Sequence, residues 1–263
     1  MKQIGIPIAI IVAGVLIAGA VLYSGDLGSS KSGAAAQSLD YDATEMESLI
    51  AEVGVDGKIL GDPNAPIIIT EYSDTECPFC QRYHGTMKQV IEKYGADGQV
   101  AWEYKHFPIP QLHSKAPAES HALECIFELG GGEAFWVAID TIYTVSPSNN
   151  GLDLALLPDI AAVSGVDVDA FNDCQDSDRH TSRVETDVAE AQANGASGTP
   201  HSVLRLSSPI DSETEQFIED IDEQVSSGDL FQIVENGTQI RMSGALPFDM
   251  IDQIVSRILG AEA

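Results

Sequence analysis

Basic residues are scarce in this chain. Its 263 residues carry 13 Lys and Arg against 41 Asp and Glu, for a formal net charge of −28. So few cations cannot neutralise a run of phosphates, which argues against nucleic acid as a partner. The same balance argues against adsorption to an anionic membrane surface. The charge suits solubility in general and, more narrowly, a saline habitat. Cysteine is also sparse, with 4 in all. Cys77 and Cys80 make the sole CxxC, while Cys125 and Cys174 stand singly and far apart. With no second CxxC, half of a structural zinc site would lack two ligands, and His84 would supply only a third. No internal repeat and no long low-complexity segment is present, and from 114 to 194 there is no clear strand.

One long apolar run does occur, from Ile4 to Tyr23, and it carries no charge. About twenty such residues can span a bilayer. Small-residue sites at Ala18-Gly19-Ala20 and Ala34-Ala35-Ala36 fit the rival reading, a cleaved signal segment. No Cys follows the run, so it is not a lipoprotein signal. Residues 1–24 are therefore read as a membrane anchor or signal segment, and Lys2 ahead of the span places that end in the cytoplasm. Residues 25–55 form a linker that opens with a Gly/Ser/Ala-rich tether, Gly25 to Gln37, with a possible short helix where Thr44 and Glu47 offer a capping box. Residues 56–263 form one domain with a good core.

The domain centres on IIITEYSDTECPFCQRYH, from Ile67 to His84. The β-branched run Ile67 to Thr70, after a turn signal, predicts a buried strand. Pro78 suits the first turn of a helix. Cys77 then sits at the helix N-terminus, where the positive partial charge stabilises a thiolate. Cys80 lies one turn inward, within reach of a disulfide. A strand, a loop and a CxxC that opens a helix point to a redox pair on a thioredoxin-like fold. Further strands are predicted at Val100 to Lys105, His201 to Leu206, and in a hairpin, Phe231 to Val234 and Gln239 to Met242, around Asn236-Gly237. Helical patterns fill Ala118 to Leu129, Ala134 to Tyr143, Leu154 to Ser164, Val168 to Cys174 and Arg183 to Ala193. They read as a helical insertion at about 112–196. A last amphipathic helix covers Phe248 to Leu259.

From about Gly61 to Ala261 the chain resembles the DsbA-like thiol–disulfide oxidoreductases. The motifs that carry the resemblance are Gly61-Asp62-Pro63-Asn64-Ala65-Pro66, Cys77-Pro78-Phe79-Cys80, Ala134-Phe135-Trp136, Gly198-Thr199-Pro200 and Ser243-Gly244-Ala245-Leu246-Pro247. The resemblance implies an α/β class, a thioredoxin-like fold with an inserted helical domain, and the apolar run before it adds an N-terminal transmembrane helix. It implies a cis peptide at Thr199–Pro200 against the active-site disulfide, where sequence alone leaves the ordinary trans turn open. It also implies a buried acid, Glu71, that exchanges a proton with Cys80; an edge position facing water is the alternative. The chain departs from the family at His201, after the proline, and in the lengthened stretch Ser207 to about Asp229, both near the expected substrate edge.

The site read from these signals has Cys77 as nucleophile, Cys80 as its partner and Glu71 as proton carrier. Pro78, Phe79, His84, Thr199 and Pro200 support it. His84 can favour the Cys77 thiolate as an imidazolium or simply pack. Lys105 can reach Glu71 or lie on the surface. Asp74 and Glu76 either repel anionic thiols and attract basic peptides, or point into bulk water. Cys125 and Cys174 pair in an oxidising compartment, or else remain buried thiols. Apart from its redox-active disulfide the site needs no cofactor and no metal. The leading function is dithiol oxidation of unfolded or reduced secreted proteins, reoxidised by a quinone-linked membrane partner of the DsbB or vitamin K epoxide reductase type. A disulfide isomerase or reductase is the alternative, and a redox-inert scaffold or metal-binding module stands behind both.

Overall fold

The computed structural model describes residues 39, 41–225 and 230–260. The Ile4 to Tyr23 run and the tether up to Gln37 lie outside the described residues. Among the described residues no helix is long and apolar enough to cross a membrane.

The chain opens with helix α1 (Thr44–Val53), which buries Met46, Leu49 and Ile50. The capping-box reading needs correction. Asp42, not Thr44, holds the helix start, because its Oδ1 accepts from the Thr44 N–H at 3.0 Å and from the Thr44 hydroxyl. Two short strands follow, β1 (Val55–Asp56) and β2 (Ile59–Leu60), a hairpin too small to show a hydrophobic period. Then come β3 (Ile67–Ser73), α2 (Pro78–Tyr94) and β4 (Val100–His106). Strands β3 and β4 are parallel. Such a pair requires a crossover, and α2 supplies it. Every β3 residue except Ile68 is buried, on both faces of the sheet, which explains the strand's unbroken apolar start.

Four helices separate β4 from β5 (His201–Leu206): α3 (Ala116–Val145), α4 (Leu157–Val163), α5 (Val168–Gln175) and α6 (Thr181–Ala193). Helix α3 breaks at Gly131, whose φ of 75° and ψ of −165° are non-helical. This break falls between the two segments predicted at Ala118 to Leu129 and Ala134 to Tyr143. The next residue, Gly132, is required for a different reason. A Cβ there would lie 2.2 Å from the Gly57 carbonyl oxygen in the β1–β2 turn. Cys125 and Cys174 form a disulfide with Cα atoms 5.8 Å apart, which joins α3 to α5.

The chain closes with α7 (Ser212–Val225), β6 (Phe231–Val234), β7 (Gln239–Ser243) and α8 (Phe248–Ile258). The lengthened acidic stretch is thus mainly α7, which buries Thr214 and Ile218 and exposes most of its carboxylates. The sheet order is β1-β2-β4-β3-β5-β7-β6, with β3 at its centre. Helix α8 turns Ile251, Ile254 and Val255 into the core, each burial contributing roughly 2 kcal/mol of transfer free energy. Trp102 of β4 and Trp136 of α3 meet at 4.6 Å between ring centroids and join the sheet to the inserted helices.

Candidate active site

The site forms where β3 ends and α2 begins. Cys77 is the N-cap of α2 with extended φ and ψ of −81° and 120°, and Pro78 occupies the first turn. Its Sγ lies 3.5 Å from the Thr199 carbonyl oxygen, and the Thr199–Pro200 peptide is cis. Cys77 keeps a 5% exposed edge while Cys80 has none, and both are free thiols. The Asp74 N–H points at Cys80 Sγ from 3.5 Å. Phe79 is 54% exposed and stacks under Arg82, whose guanidinium carbon sits 5.2 Å from the ring centroid.

The two thiols differ in acidity. A hydrogen bond from Cys80, joined by Thr199 and the N–H groups of Cys80 and Phe79, pulls Cys77 down to about 6 against the effect of burial. Burial pushes Cys80 well above its usual value, and the Cys77 thiolate and Glu71 add to that. The pair therefore holds one thiolate and one thiol at neutral pH. The first is a good nucleophile and leaving group, and the second is a proton donor.

Glu71 is fully buried in β3 and couples electrostatically to both sulfurs. Its Oε1 accepts from the Ser73 hydroxyl at 2.6 Å and its Oε2 from the Trp102 indole N–H at 3.0 Å. Burial pushes it up to about 7, with those two hydrogen bonds opposing. A carboxyl poised near neutrality and coupled to Cys80 can carry its proton. The edge position facing water is ruled out by this burial.

Sequence reasoning missed Trp102, Ser73 and Tyr143. The Tyr143 hydroxyl lies 2.8 Å from Ser73 Oγ and 3.4 Å from the Asp74 carbonyl oxygen. Nothing in the sequence singles out these residues. Ile69 pairs with Trp102 in the β3–β4 register, and this puts the indole on the same face as Glu71, two positions on. Lys105 does not reach Glu71. It pairs with Tyr72 in the register, so it points to the other face and meets Glu190 at 2.5 Å.

His84 is bonded to Asp140 rather than to the pair. Its Nε2 is 2.9 Å from Asp140 Oδ1, and its ring packs on Trp102 and Tyr143. Burial lowers its pKa, with Asp140 opposing, so an imidazolium acting on Cys77 is not what this geometry provides. His201 is also inside the protein. Its Nε2 donates to the Asn194 carbonyl at 3.1 Å, and its Nδ1 is 3.5 Å from Ser243 Oγ. It braces the start of β5 and is almost wholly buried.

The readings of Asp74 and Glu76 both need correction, because each side chain is fully buried. Asp74 Oδ2 accepts from the Ile109 N–H at 2.8 Å and lies 2.9 Å from His113 Nδ1. Glu76 accepts from the N–H groups of Gly151 and Leu152, both at 3.1 Å. Two inserted loops have backbone donors that need acceptors, and the loop before Cys77 supplies them. Behind it, burial pushes Glu119 up to about 8, with Thr75 opposing and the neighbouring Glu76 and Asp74 carboxylates adding to it. Glu119 is thus a neutral acid at pH 7.

Metal-ligand types cluster elsewhere among the described residues, at His106, Glu124 and Asp187. Lys58 already occupies that cluster, bonding Glu124 and lying 3.9 Å from Asp187. Burial would raise Glu124, but His106 and Lys58 hold it down to about 2. The cluster is an ion-pair network.

Comparison with known proteins agrees with this geometry. Residues 55–204 match the family described as Thioredoxin. Among solved structures, the fold is similar to Pseudomonas aeruginosa DsbA2, with a TM-score of 0.55 and 23% identity over 78% of this chain and 95% of that one. It is likewise similar to Wolbachia pipientis alpha-DsbA1, with a TM-score of 0.56 and 22% identity over 82% and 96%. For oxidised BdbD from Bacillus subtilis the TM-score is 0.55, with 16% identity over 78% and 93%. A curated relative, the Na(+)/H(+) antiporter NhaA 1 of Mycolicibacterium gilvum, is 31% identical over 146 residues, 54% of this chain and 22% of its own. The chain thus spans about a fifth of the length of the curated relatives it matches. The chain belongs to the thioredoxin family, in the DsbA-like form of the fold, with its CxxC at the start of α2.

Proposed function

We propose that this protein is an extracytoplasmic dithiol oxidase that introduces disulfides into reduced or unfolded secreted proteins. The observation that carries the reading is the asymmetry of the pair, with Cys77 pulled down to about 6 and Cys80 pushed up by burial. Stabilising the Cys77 thiolate favours the reduced pair, which makes the disulfide a ready electron acceptor.

In the oxidising cycle a substrate thiolate attacks Cys77 Sγ of the disulfide. The substrate–Cys77 bond forms, the Cys77–Cys80 bond breaks, and Cys80 leaves with the electron pair and takes up a proton. In this reading Glu71 supplies it. A second substrate thiolate then attacks the substrate sulfur of the mixed disulfide. The substrate disulfide forms, and Cys77 departs as a thiolate. Two electrons have passed to the pair, so no bound cofactor is needed. A quinone-linked membrane partner of the DsbB or vitamin K epoxide reductase type would take them away.

The Cys125–Cys174 bridge supports an oxidising compartment. In this reading Ile4 to Tyr23 anchors the domain to the cell membrane, or is cleaved to release it. Equilibration with glutathione buffers tests the direction. A potential of about −120 mV is expected of a strong oxidant, and one of about −270 mV would make the protein a reductant and refute the oxidase reading.

A further inference from the structure

A groove of about 1000 Å³ runs between the β4–α3 connection and α6. Pro108, Ile109, Pro117, Val184, Val188 and Ala189 supply its apolar lining, with polar side chains interspersed. The titratable groups that line it are His121, Asp178 and Glu185, and no Lys or Arg lines it. His121 is engaged within the protein, with Nδ1 3.1 Å from Gln175 Oε1 and Nε2 accepting from the His180 N–H at 3.4 Å. Asp178 and Glu185 are exposed, so the groove presents apolar side chains together with two carboxylates and no lining cation.

Two residues that line the groove lie near the CxxC loop. Ser197 lines it and stands two residues before Thr199, whose carbonyl oxygen is 3.5 Å from Cys77 Sγ. Ile109 lines it as well and donates its N–H to Asp74 at 2.8 Å, three residues before Cys77. Two residues span at most about 7 Å, and an extended peptide advances about 3.3 Å per residue. A polypeptide with its cysteine at Cys77 therefore brings residues about three to five places away into the groove.

We propose that this groove docks the substrate polypeptide beside the cysteine under attack, and that it selects segments in which apolar residues stand with Lys or Arg. The inference rests on the oxidoreductase reading and adds a substrate class to it. Apolar side chains gain from leaving water in the groove, and the uncompensated carboxylates attract cationic ones and repel anionic ones. This role replaces the one expected of Asp74 and Glu76, whose charges are buried and taken up by backbone donors.

The test measures kcat/KM for oxidation of dithiol peptides of equal length whose flanks are Leu/Lys, Leu/Glu or Ser/Lys, with a fixed excess of a small-molecule disulfide to reoxidise the Cys77–Cys80 pair after each turnover. Dithiothreitol oxidation is measured alongside. The proteins are the wild type, Ala189→Trp, which fills the groove from an exposed helix position, and the double variant Asp178→Asn/Glu185→Gln. In low salt the wild type should favour Leu/Lys over Leu/Glu by about 3- to 10-fold. That preference should collapse in 1 M salt, where the Debye length is about 3 Å, and in the double variant. The wild type should also favour Leu/Lys over Ser/Lys. Ala189→Trp should lower kcat/KM for Leu/Lys by about 10-fold. Dithiothreitol rates should match in all three proteins. Normal dithiothreitol turnover without peptide preference, or with peptide rates untouched by Ala189→Trp and by the double variant, overturns the groove alone. No dithiothreitol turnover in the wild type overturns the oxidoreductase reading and the groove's role with it.

Discussion

Replacing Glu71 by Gln separates its charge from its shape. The wild-type carboxyl is moved by burial from its usual 4.5 to about 7. Below pH 4.5 it is neutral in both folded and unfolded chains and contributes no pH dependence. Between pH 4.5 and 7 the unfolded chain releases the proton and the folded one does not, so folding stability falls as pH rises. Above pH 7 the whole penalty is present, about 3 kcal/mol from the displacement of the pKa. The amide of the Glu71→Gln variant has no charge to bury. It can accept from Ser73 or Trp102 through one oxygen only, where Glu71 uses two, a loss of about 1 kcal/mol. The variant should therefore be less stable than wild type by about 1 kcal/mol at pH 4 and more stable by about 2 kcal/mol at pH 8. Urea unfolding of the reduced proteins across this range should show the two midpoints cross, with a gain of about 1 M urea at pH 8. A difference that stays flat from pH 4 to 8 would refute the buried, displaced carboxyl.

Three other outcomes are expected. Alkylation of reduced protein should label Cys77 with a midpoint near pH 6 while Cys80 stays unlabelled through pH 8, and Cys77→Ser should abolish turnover; labelling that rises only near pH 9 would contradict the thiolate. Glu76→Ala strips the acceptor from two N–H groups and should cost about 2–4 kcal/mol in urea unfolding without changing the preference between Lys-rich and Glu-rich peptides. The Cys125→Ser/Cys174→Ser double variant loses a cross-link across 49 positions, worth about 4 kcal/mol in the chain-entropy account; a denaturation midpoint equal to wild type would show that the bridge does not constrain the unfolded chain.

The redox centre was legible from sequence because its determinants are local. A β-branched run before a loop, Pro78 in the first helical turn and a cysteine at each end of one turn specify where Cys77 and Cys80 stand without reference to the rest of the chain. The helices from Ala116 to Ala193 were legible for the same reason, since apolar period and glycine punctuation mark them, down to the break at Gly131. The cis peptide at Thr199–Pro200 and the buried position of Glu71 were expected from family resemblance, and the geometry places both. What stayed hidden depends on which strand lies beside which, and in what register. Pairing of Ile69 with Trp102 puts an indole N–H on Glu71, and pairing of Tyr72 with Lys105 sends that lysine to the opposite face. Asp74 and Glu76 look like surface charges because carboxylates before a turn usually are. Only the inserted loops, folding over them with the backbone N–H groups of Ile109, Gly151 and Leu152, turn them into buried acceptors. Local chemistry thus determined the reacting atoms. Tertiary packing decided their surroundings, because burial and hydrogen-bond partners come from distant segments, as with Thr199, 122 positions from the Cys77 it faces.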